Sequence, residues 1–334
     1  MTEAMNDGAP AAAAPDPKAE PAPPPVPAVR TIALTKRYGA FTALKSLDLT
    51  IEKGDIFGFI GPNGAGKTTT IRILATLLAP TSGQAFINGI DVRRAPYEAK
   101  RRLGFMPDSF GVYDGMRLRE YLDFFGAAYK IPRKKRQGII DDVLQLTDLT
   151  SKADDYVSAF SRGMKQRCCL AKTLLHDPDV LLLDEPASGL DPRARIEMRE
   201  LLKTLRRMGK TILISSHILS ELGDMCNKIG IIEHGELLHA GPFRDILESL
   251  RHEREIHLRV LDGADAALRI LEATEGVHNV ERSGSEFQFE TSLSLEAISD
   301  LHMRLSADGV RILFFEEEKG TLEDVFLHLT KGGL

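Results

Sequence analysis

The alternation of apolar and polar positions divides the chain into unlike stretches. Residues 1–28 hold nine alanines and eight prolines and almost no large apolar side chain. Such a segment buries too little surface to offset the entropy lost on ordering, and it reads as a disordered tail. Short β-type runs follow at 29–34, 44–51 and 84–88, the last closing in the turn signal Asn88-Gly89. They predict a small antiparallel sheet. Within this region residues 55–60 (DIFGFI) read as a short buried strand and 68–78 as an apolar helix stopped by Pro80.

From Tyr97 to about Leu175 a helical period dominates, with apolar stripes at 118–129 and 139–149 and a strand-like run at 103–106 near its start. Its aromatics Phe110, Tyr113, Tyr121, Phe124, Phe125 and Tyr129 suit a core or a groove for a partner. The runs 180–183 and 211–215 are continuously apolar or nearly so, as in parallel strands buried on both faces. After Arg254 the pattern becomes strand 255–261, helix 264–273, strands 277–282 and 286–291, helix 295–307 and strand 310–316. That order, βαββαβ, is the split βαβ plan of ferredoxin-like domains. Thr321 with Asp324 predicts a capped start for a last helix over 322–329.

Composition narrows the function. A chain of 334 residues with 43% hydrophobic content is comfortable as two domains. A net charge of −5 argues against nucleic acid as a partner, although residues 100–102 and 133–136 are basic runs of the kind that face solvent or lipid headgroups. Three cysteines, with Cys168 and Cys169 adjacent in a predicted helix, form neither a disulfide framework nor a metal-ligand spacing, which fits a reducing cytoplasm. No apolar run approaches the ~20 residues needed to span a bilayer, and the start has no hydrophobic core of a signal peptide. Any membrane part of a transport function is expected on another chain.

Residues 61–68 read Gly-Pro-Asn-Gly-Ala-Gly-Lys-Thr and fit the phosphate-binding loop G-x-x-x-x-G-K-[ST], in the required order of strand, loop and helix. Gly61, Gly64 and Gly66 let successive N–H groups turn toward one anion, and the helix start adds its positive dipole end. Pro62, Asn63, Ala65 and Thr69 complete the expected ATP contact, Lys67 reaches the outer phosphates and the Thr68 hydroxyl is placed for Mg²⁺. The run 180–183 ends in Asp184-Glu185-Pro186, two carboxylates where a buried strand emerges. Beside a phosphate loop Asp184 is expected to hold Mg²⁺ and Glu185 to orient or deprotonate the attacking water. The run 211–215 ends in Ser216-His217, which puts an imidazole at the same edge. Tyr38 is an aromatic able to stack on a base.

Between the helical stretch and the carboxylate strand stands Phe160-Ser161-Arg162-Gly163-Met164-Lys165-Gln166-Arg167, and with it residues 29–243 resemble the ATP-binding subunit of an ABC transporter. In that family a Leu-Ser-Gly-Gly-Gln signature opens a helix whose start binds the ATP held by a second subunit. Ser161 and Gly163 match it, whereas Phe160, Arg162 and Met164 depart from it, Arg162 adding positive charge. The resemblance further implies that Tyr38 stacks on adenine, that Ser188-Gly189-Leu190-Asp191 is the D-loop and that His217 assists catalysis with Glu185. Asp108 stands where the family usually carries a metal-contacting glutamine, which makes it a candidate metal ligand and alters the relay to the membrane subunit. The C-terminal part resembles that of bacterial exporter ATPases.

The expected architecture is thus α/β: a P-loop ATPase cassette over 29–248 with a small antiparallel β-subdomain and a helical insertion at about 97–175, then a small α+β ferredoxin-like domain over 249–334. The expected ligands are ATP and Mg²⁺. The expected partners are a transmembrane permease subunit and a second ATP-binding subunit, identical or not, at the cytoplasmic face of the membrane. A soluble ABC-type ATPase acting on ribosomes or DNA is the competing reading. It commonly carries tandem cassettes, a long coiled coil or zinc-binding cysteines, and this sequence has one phosphate loop and three cysteines without metal spacing.

Overall fold

The computed structural model describes residues 25–109, 111, 113, 115–223, 225–250 and 254–318. The segment before residue 25, the last predicted helix over 322–329 and the aromatic Phe110 lie outside the described residues.

Two β-type runs form the hairpin β1 (Val29–Tyr38) and β2 (Phe41–Ile51), followed by β3 (Ile56–Ile60) and α1 (Lys67–Leu74). The helix ends before the predicted 78 because Ala75 leaves helical geometry and Thr76 turns to a φ of 62°, left-handed backbone that no helix continues. Next come β4 (Ser82–Ile87), β5 (Ile90–Asp91), α2 (Pro96–Arg102) and β6 (Leu103–Met106). Asn88 and Gly89 both take positive φ, as the tight turn between β4 and β5 requires. Strands β2, β1, β4 and β5 pair antiparallel in that order as a side sheet.

The helical stretch contributes α3 (Leu118–Ala128), α4 (Arg133–Leu146) and α5 (Arg162–Leu174). Residues 103–106 do not belong to it structurally. They form β6, the edge of the central sheet, paired parallel with β7 (Val180–Asp184). After β7 the chain forms α6 (Pro192–Arg207), β8 (Thr211–Ser216), α7 (Leu219–Gly223), β9 (Lys228–Glu233), β10 (Glu236–Pro242) and α8 (Phe243–Leu250). The start of α6 follows from its sequence. Asp191 caps it by accepting from the Ala194 N–H at 2.8 Å, Pro192 opens it, and Arg206 and Arg207 close its last turn.

The central sheet runs β10-β9-β3-β8-β7-β6, parallel except for the edge strand β10. Strict alternation in its buried strands feeds two cores. Leu181 and Leu183 of β7 and Ile212 and Ile214 of β8 pack with the helical insertion. Val180, Leu182 and Leu213 face the other way, with α1 and the side sheet. Burial on both faces is why 180–183 carries no alternation in the sequence.

The C-terminal residues form β11 (Arg254–Asp262), α9 (Ala264–Glu272), β12 (Val277–Ser283), β13 (Glu286–Thr291), α10 (Leu295–Ala307) and β14 (Arg311–Glu318). Their sheet order, β12-β13-β11-β14, is antiparallel throughout, as a ferredoxin-like βαββαβ chain requires. Ile256, Leu258, Val260, Phe287 and Phe289 pack against Leu271, Leu301 and Leu305 in a core of their own.

Candidate active site

Strands β3, β6, β7 and β8 are parallel, so their carboxyl ends deliver their following residues to one edge of the sheet, where open α/β sheets gather ligands. From β3 the chain enters the glycine loop. Gly66, the residue before α1, has a φ of 113°, and a Cβ there would lie 2.7 Å from Leu44 Cδ2 and 2.9 Å from the Ala43 carbonyl oxygen. Only glycine meets both demands. No side chain caps α1 and no acidic residue stands in its first turn, which leaves the N–H groups of the helix start open to an anion.

Lys67 is 6% exposed. Its Nζ donates to the Gly61 carbonyl at 2.5 Å and the Pro62 carbonyl at 3.1 Å. Burial pushes its pKa down, while Glu185 and Asp184 pull it up. Carbonyls are weaker partners for a buried ammonium than anionic oxygens, so this lysine is poised to exchange them for a phosphate.

Asp184 ends β7 level with Ser215 of β8 in the parallel register. Ser215 Oγ donates to Asp184 Oδ1 at 2.6 Å, and Thr68 Oγ1 reaches the same oxygen at 3.2 Å. The Glu185 N–H donates to Ser215 Oγ at 3.0 Å. Glu185 itself takes a φ of 52°, a left-handed conformation that costs a non-glycine residue ~1–3 kcal/mol and concentrates at functional sites. Its Oε2 lies 2.9 Å from His217 Nδ1. Burial raises the Glu185 pKa; His217 and Lys67 lower it, and Asp184 adds a further rise. The result is a carboxyl group above its ordinary value.

Gly66, Lys67, Thr68, Glu185 and His217 border one cleft of about 370 Å³, which also takes in Asn63, Thr69, Asp108, Ser188 and the aromatics Tyr38 and Phe41. Tyr38 and Phe41 face each other across the β1–β2 hairpin and remain 48% and 62% exposed, with Lys36 Nζ 5.1 Å from the Tyr38 ring centroid. Asp108 is exposed two residues beyond the end of β6. The candidates Tyr38, Asn63, Gly64, Ala65, Gly66, Lys67, Thr68, Thr69, Asp108, Glu185 and His217 are therefore gathered in one place, with Asp184 bonded to Thr68 beneath.

Ser161, Arg162 and Gly163 are not among the residues of that cleft. They open α5, where Ser161 Oγ accepts from the Met164 N–H at 3.3 Å as an N-cap. Sequence reasoning did not single out Ser215 or Phe41 as contributors, and it named Ser188 only within the 188–191 loop. Ser215 was legible as a hydroxyl at the end of an apolar strand, and Phe41 as the second aromatic of Tyr-Gly-Ala-Phe.

A phosphate loop and an acidic strand end brought together across one intervening parallel strand is the arrangement of P-loop ATPases, and the exposed aromatics beside it give the cleft a surface for a base. Comparison with known proteins narrows the class. The profile of the family described as ABC transporter matches residues 44–188. The chain is 36% identical over 307 residues to the bacitracin transport ATP-binding protein BcrA of Bacillus licheniformis, covering 91% of this chain and 98% of that one. It is 31% identical over 299 residues to the linearmycin resistance ATP-binding protein LnrL of Bacillus subtilis, covering 89% and 96%. It is 35% identical over 298 residues to the Nod factor export ATP-binding protein I of Burkholderia lata, covering 88% and 94%. A solved ATP-binding subunit of an ABC transporter superposes with a TM-score of 0.60 at 28% identity, over 66% of this chain and 92% of that one. The chain belongs to the family of ABC transporter ATP-binding proteins, and its activity is ATP hydrolysis coupled to transport.

Proposed function

We propose that this chain drives an exporter whose membrane-spanning part is a separate permease, and that it works as a head-to-tail pair of ATP-binding subunits at the cytoplasmic face of the membrane. The observation that carries this is the division of the site. The cleft holds the phosphate loop, Glu185 and His217, with Asp184 bonded to Thr68 beneath it, whereas the Ser161–Gly163 helix start stands outside it as a second, separately capped turn suited to an anion. A pair related so that each turn meets the opposing cleft completes both sites. Among the described residues no helix is long and apolar enough to cross a membrane, and the relatives' names speak of transport, resistance and export. They favour a drug-like or lipid-like cargo over a ribosomal or nucleic-acid role.

The residues fit ATP and Mg²⁺. The glycine cradle admits no Cβ at Gly66, and Thr68 Oγ1 and Asp184 Oδ1 present two hard oxygens 3.2 Å apart. Among the described residues no group of three or more His, Cys, Asp or Glu side chains gathers for a metal. That suits an ion which completes its shell with phosphate oxygens and water. Mg²⁺, when bound, neutralises charge on the phosphates. Lys67 and the loop N–H groups hold the phosphate tail, Glu185 orients the attacking water and accepts its proton, and His217 Nδ1 fixes the Glu185 carboxylate.

The permease is assigned to the groove of about 850 Å³ between α2 and the α3–α4 turn. Tyr97, 82% exposed, stands there with Arg101 and Tyr129, aromatic and arginine side chains of the kind protein interfaces favour, flanked by Lys100 and Lys130. Tyr113 packs with Tyr121, Phe124 and Phe125 of the insertion, so only five positions separate the cleft residue Asp108 from the insertion. The test is purification of the Glu185→Gln chain with ATP. An ATP-dependent dimer and a co-purifying polytopic protein are expected, and a strict monomer overturns the shared site.

A further inference from the structure

The two basic runs of the sequence, residues 100–102 and 133–136, stand outside the ATP cleft, and the fold brings them to one place. Lys100 and Arg101 of α2 line the groove assigned to the permease, as do Lys130 and Pro132, and Pro132 leads directly into Arg133, Lys134 and Lys135 of α4. All six cations are exposed. The last member of each run is bonded within the chain, Arg102 to Asp179 at 3.4 Å and Arg136 to Asp123 at 3.0 Å. The six have no ion pair among the described residues. Asp177, the one carboxylate in the lining of the groove, is bonded to Lys210 at 2.5 Å. A cationic rim without counter-charges therefore borders the groove from both α2 and the α3–α4 turn.

Two features decide what this rim meets. The first turn of α4 holds the four cations Arg133 to Arg136 and no acidic residue. Cations there oppose the positive end of the helix dipole and repel one another, a local cost that an external anionic surface removes. Those of α2 stand at the favourable end of their helix and carry less weight. The second feature is residue type, since four of the six are lysines. Lysine is depleted at protein interfaces, where its strongly hydrated ammonium would have to give up water. An anionic lipid surface makes no such demand, because it attracts Lys and Arg that remain hydrated close to it.

We propose that Lys100, Arg101, Lys130, Arg133, Lys134 and Lys135 lie against anionic phospholipid headgroups of the membrane, as a rim around the groove that takes the permease. This rests on the membrane location proposed above and deepens it, by giving the subunit a lipid contact of its own. Magnitude limits the role. At roughly fivefold in affinity per cation near an anionic leaflet, six cations supply about 10⁴-fold, the level at which a single acyl chain binds only marginally and reversibly. Such a contact orients the subunit beneath the permease without anchoring it. The net charge of −5 on the whole chain does not cancel it, because charges more than ~8 Å from the lipid surface are largely screened at physiological salt.

The test is co-sedimentation of the full chain, without permease, with vesicles of phosphatidylcholine alone or in equal parts with phosphatidylglycerol. Binding is expected only to the anionic vesicles, and it is expected to fall as salt is raised. Lys100→Gln with Lys130→Gln is expected to weaken it about 25-fold, and Arg133→Gln with Lys134→Gln and Lys135→Gln about 100-fold, with basal ATPase unchanged. The triple variant is also expected to melt no lower than wild type, because it relieves the first turn of α4. A merely structural role for these cations predicts the opposite. Absent binding to anionic vesicles, equal binding to neutral ones, or variants that bind as wild type each overturn the proposal. Displacement by millimolar inorganic phosphate at constant ionic strength overturns it too, since that marks a site for a free anion. So does a loss of permease co-purification in variants whose vesicle binding is unchanged, which gives the cations to the protein interface. Vesicle binding as expected, from a chain that co-purifies with no polytopic protein, overturns the permease reading and leaves the lipid contact standing.

Discussion

His217 Nδ1 lies 2.9 Å from Glu185 Oε2, and the backbone of Glu185 is held in left-handed geometry by Ser215 from the neighbouring strand. The carboxylate is thus fixed from both ends, by an imidazole at its oxygen and a hydroxyl at its N–H. Glu185→Gln keeps the shape and the phosphate cradle while removing the base. Turnover is expected to fall ~10²–10⁴-fold with ATP binding retained, whereas Lys67→Ala is expected to lose binding. Equilibrium binding of a fluorescent ATP analogue beside steady-state hydrolysis separates the two. Equal loss of both in Glu185→Gln contradicts the assignment.

Burial leaves the Glu185 carboxyl above its ordinary value. A base must be deprotonated to act, so kcat is expected to fall on the acid side with an apparent pKa above 4.5, the ordinary value. The folded pKa exceeds the unfolded one, so the fold binds the extra proton between the two values. The stability that this group contributes is present at lower pH and is lost as pH rises through the raised pKa. A kcat–pH profile whose acid limb sits at or below the ordinary carboxylate value contradicts the burial argument.

Ser215 serves Asp184 and Glu185 at once, donating to one and accepting from the other. Ser215→Ala leaves the Glu185 N–H without its acceptor, at an expected cost of ~1–3 kcal/mol. Freed from its register, the carboxylate shifts, and an ångström-scale misplacement costs up to ~100-fold in rate. Urea unfolding and kcat together check this. A stable variant with wild-type turnover shows that the Glu185 geometry is set elsewhere.

Ser215 also marks where the sequence stopped being informative. The glycine loop, the carboxylate pair and His217 were legible because their chemistry is written at strand ends in consecutive residues. The βαββαβ order after Arg254 was legible because its elements are short, its two helices are amphipathic and Ser294 caps the second of them. The Ser215–Asp184 bond was not, since it depends on β7 lying beside β8, a neighbour relation that neither strand encodes alone. Residues 103–106 were legible as a strand, and they form one, but their place in the central sheet was not, since it depends on pairing with β7. The end of α1 was misread because Thr76 leaves the helix through a backbone turn that its side chain does not announce.

The residues after Arg254 form a separate core, and every side chain named in the ATP cleft precedes them. Deletion from Arg251 onward is expected to leave nucleotide affinity within about twofold, as for a domain with its own core. The measurement is ATP-analogue binding by a truncated chain whose circular dichroism retains its helical content. Lost affinity in a folded truncation assigns part of the site to the C-terminal residues.

Asp108 and Tyr97 separate chemistry from docking. Asp108 follows β6 by two residues and lines the cleft, and Tyr97 stands on α2, immediately before β6, in the groove assigned to the permease. Asp108→Asn removes a charge from the lining of the cleft that Thr68, Glu185 and His217 share. It is expected to raise the Mg²⁺ concentration needed for half-maximal hydrolysis severalfold, because one anionic oxygen fewer is available to the ion. Permease binding is expected to be unaffected. Tyr97→Ala is expected to do the reverse. Tyr97 is among the most exposed large side chains of the described residues, so the fold loses little. An aromatic anchor at an interface is worth ~2 kcal/mol or more, about a 30-fold loss of affinity for the membrane partner. Basal ATPase titrated with Mg²⁺, measured beside co-purification with the permease, reads both arms. If Tyr97→Ala binds the permease normally, the docking surface is not this groove; if Asp108→Asn leaves the Mg²⁺ titration unchanged, Asp108 borders the cleft without meeting the metal.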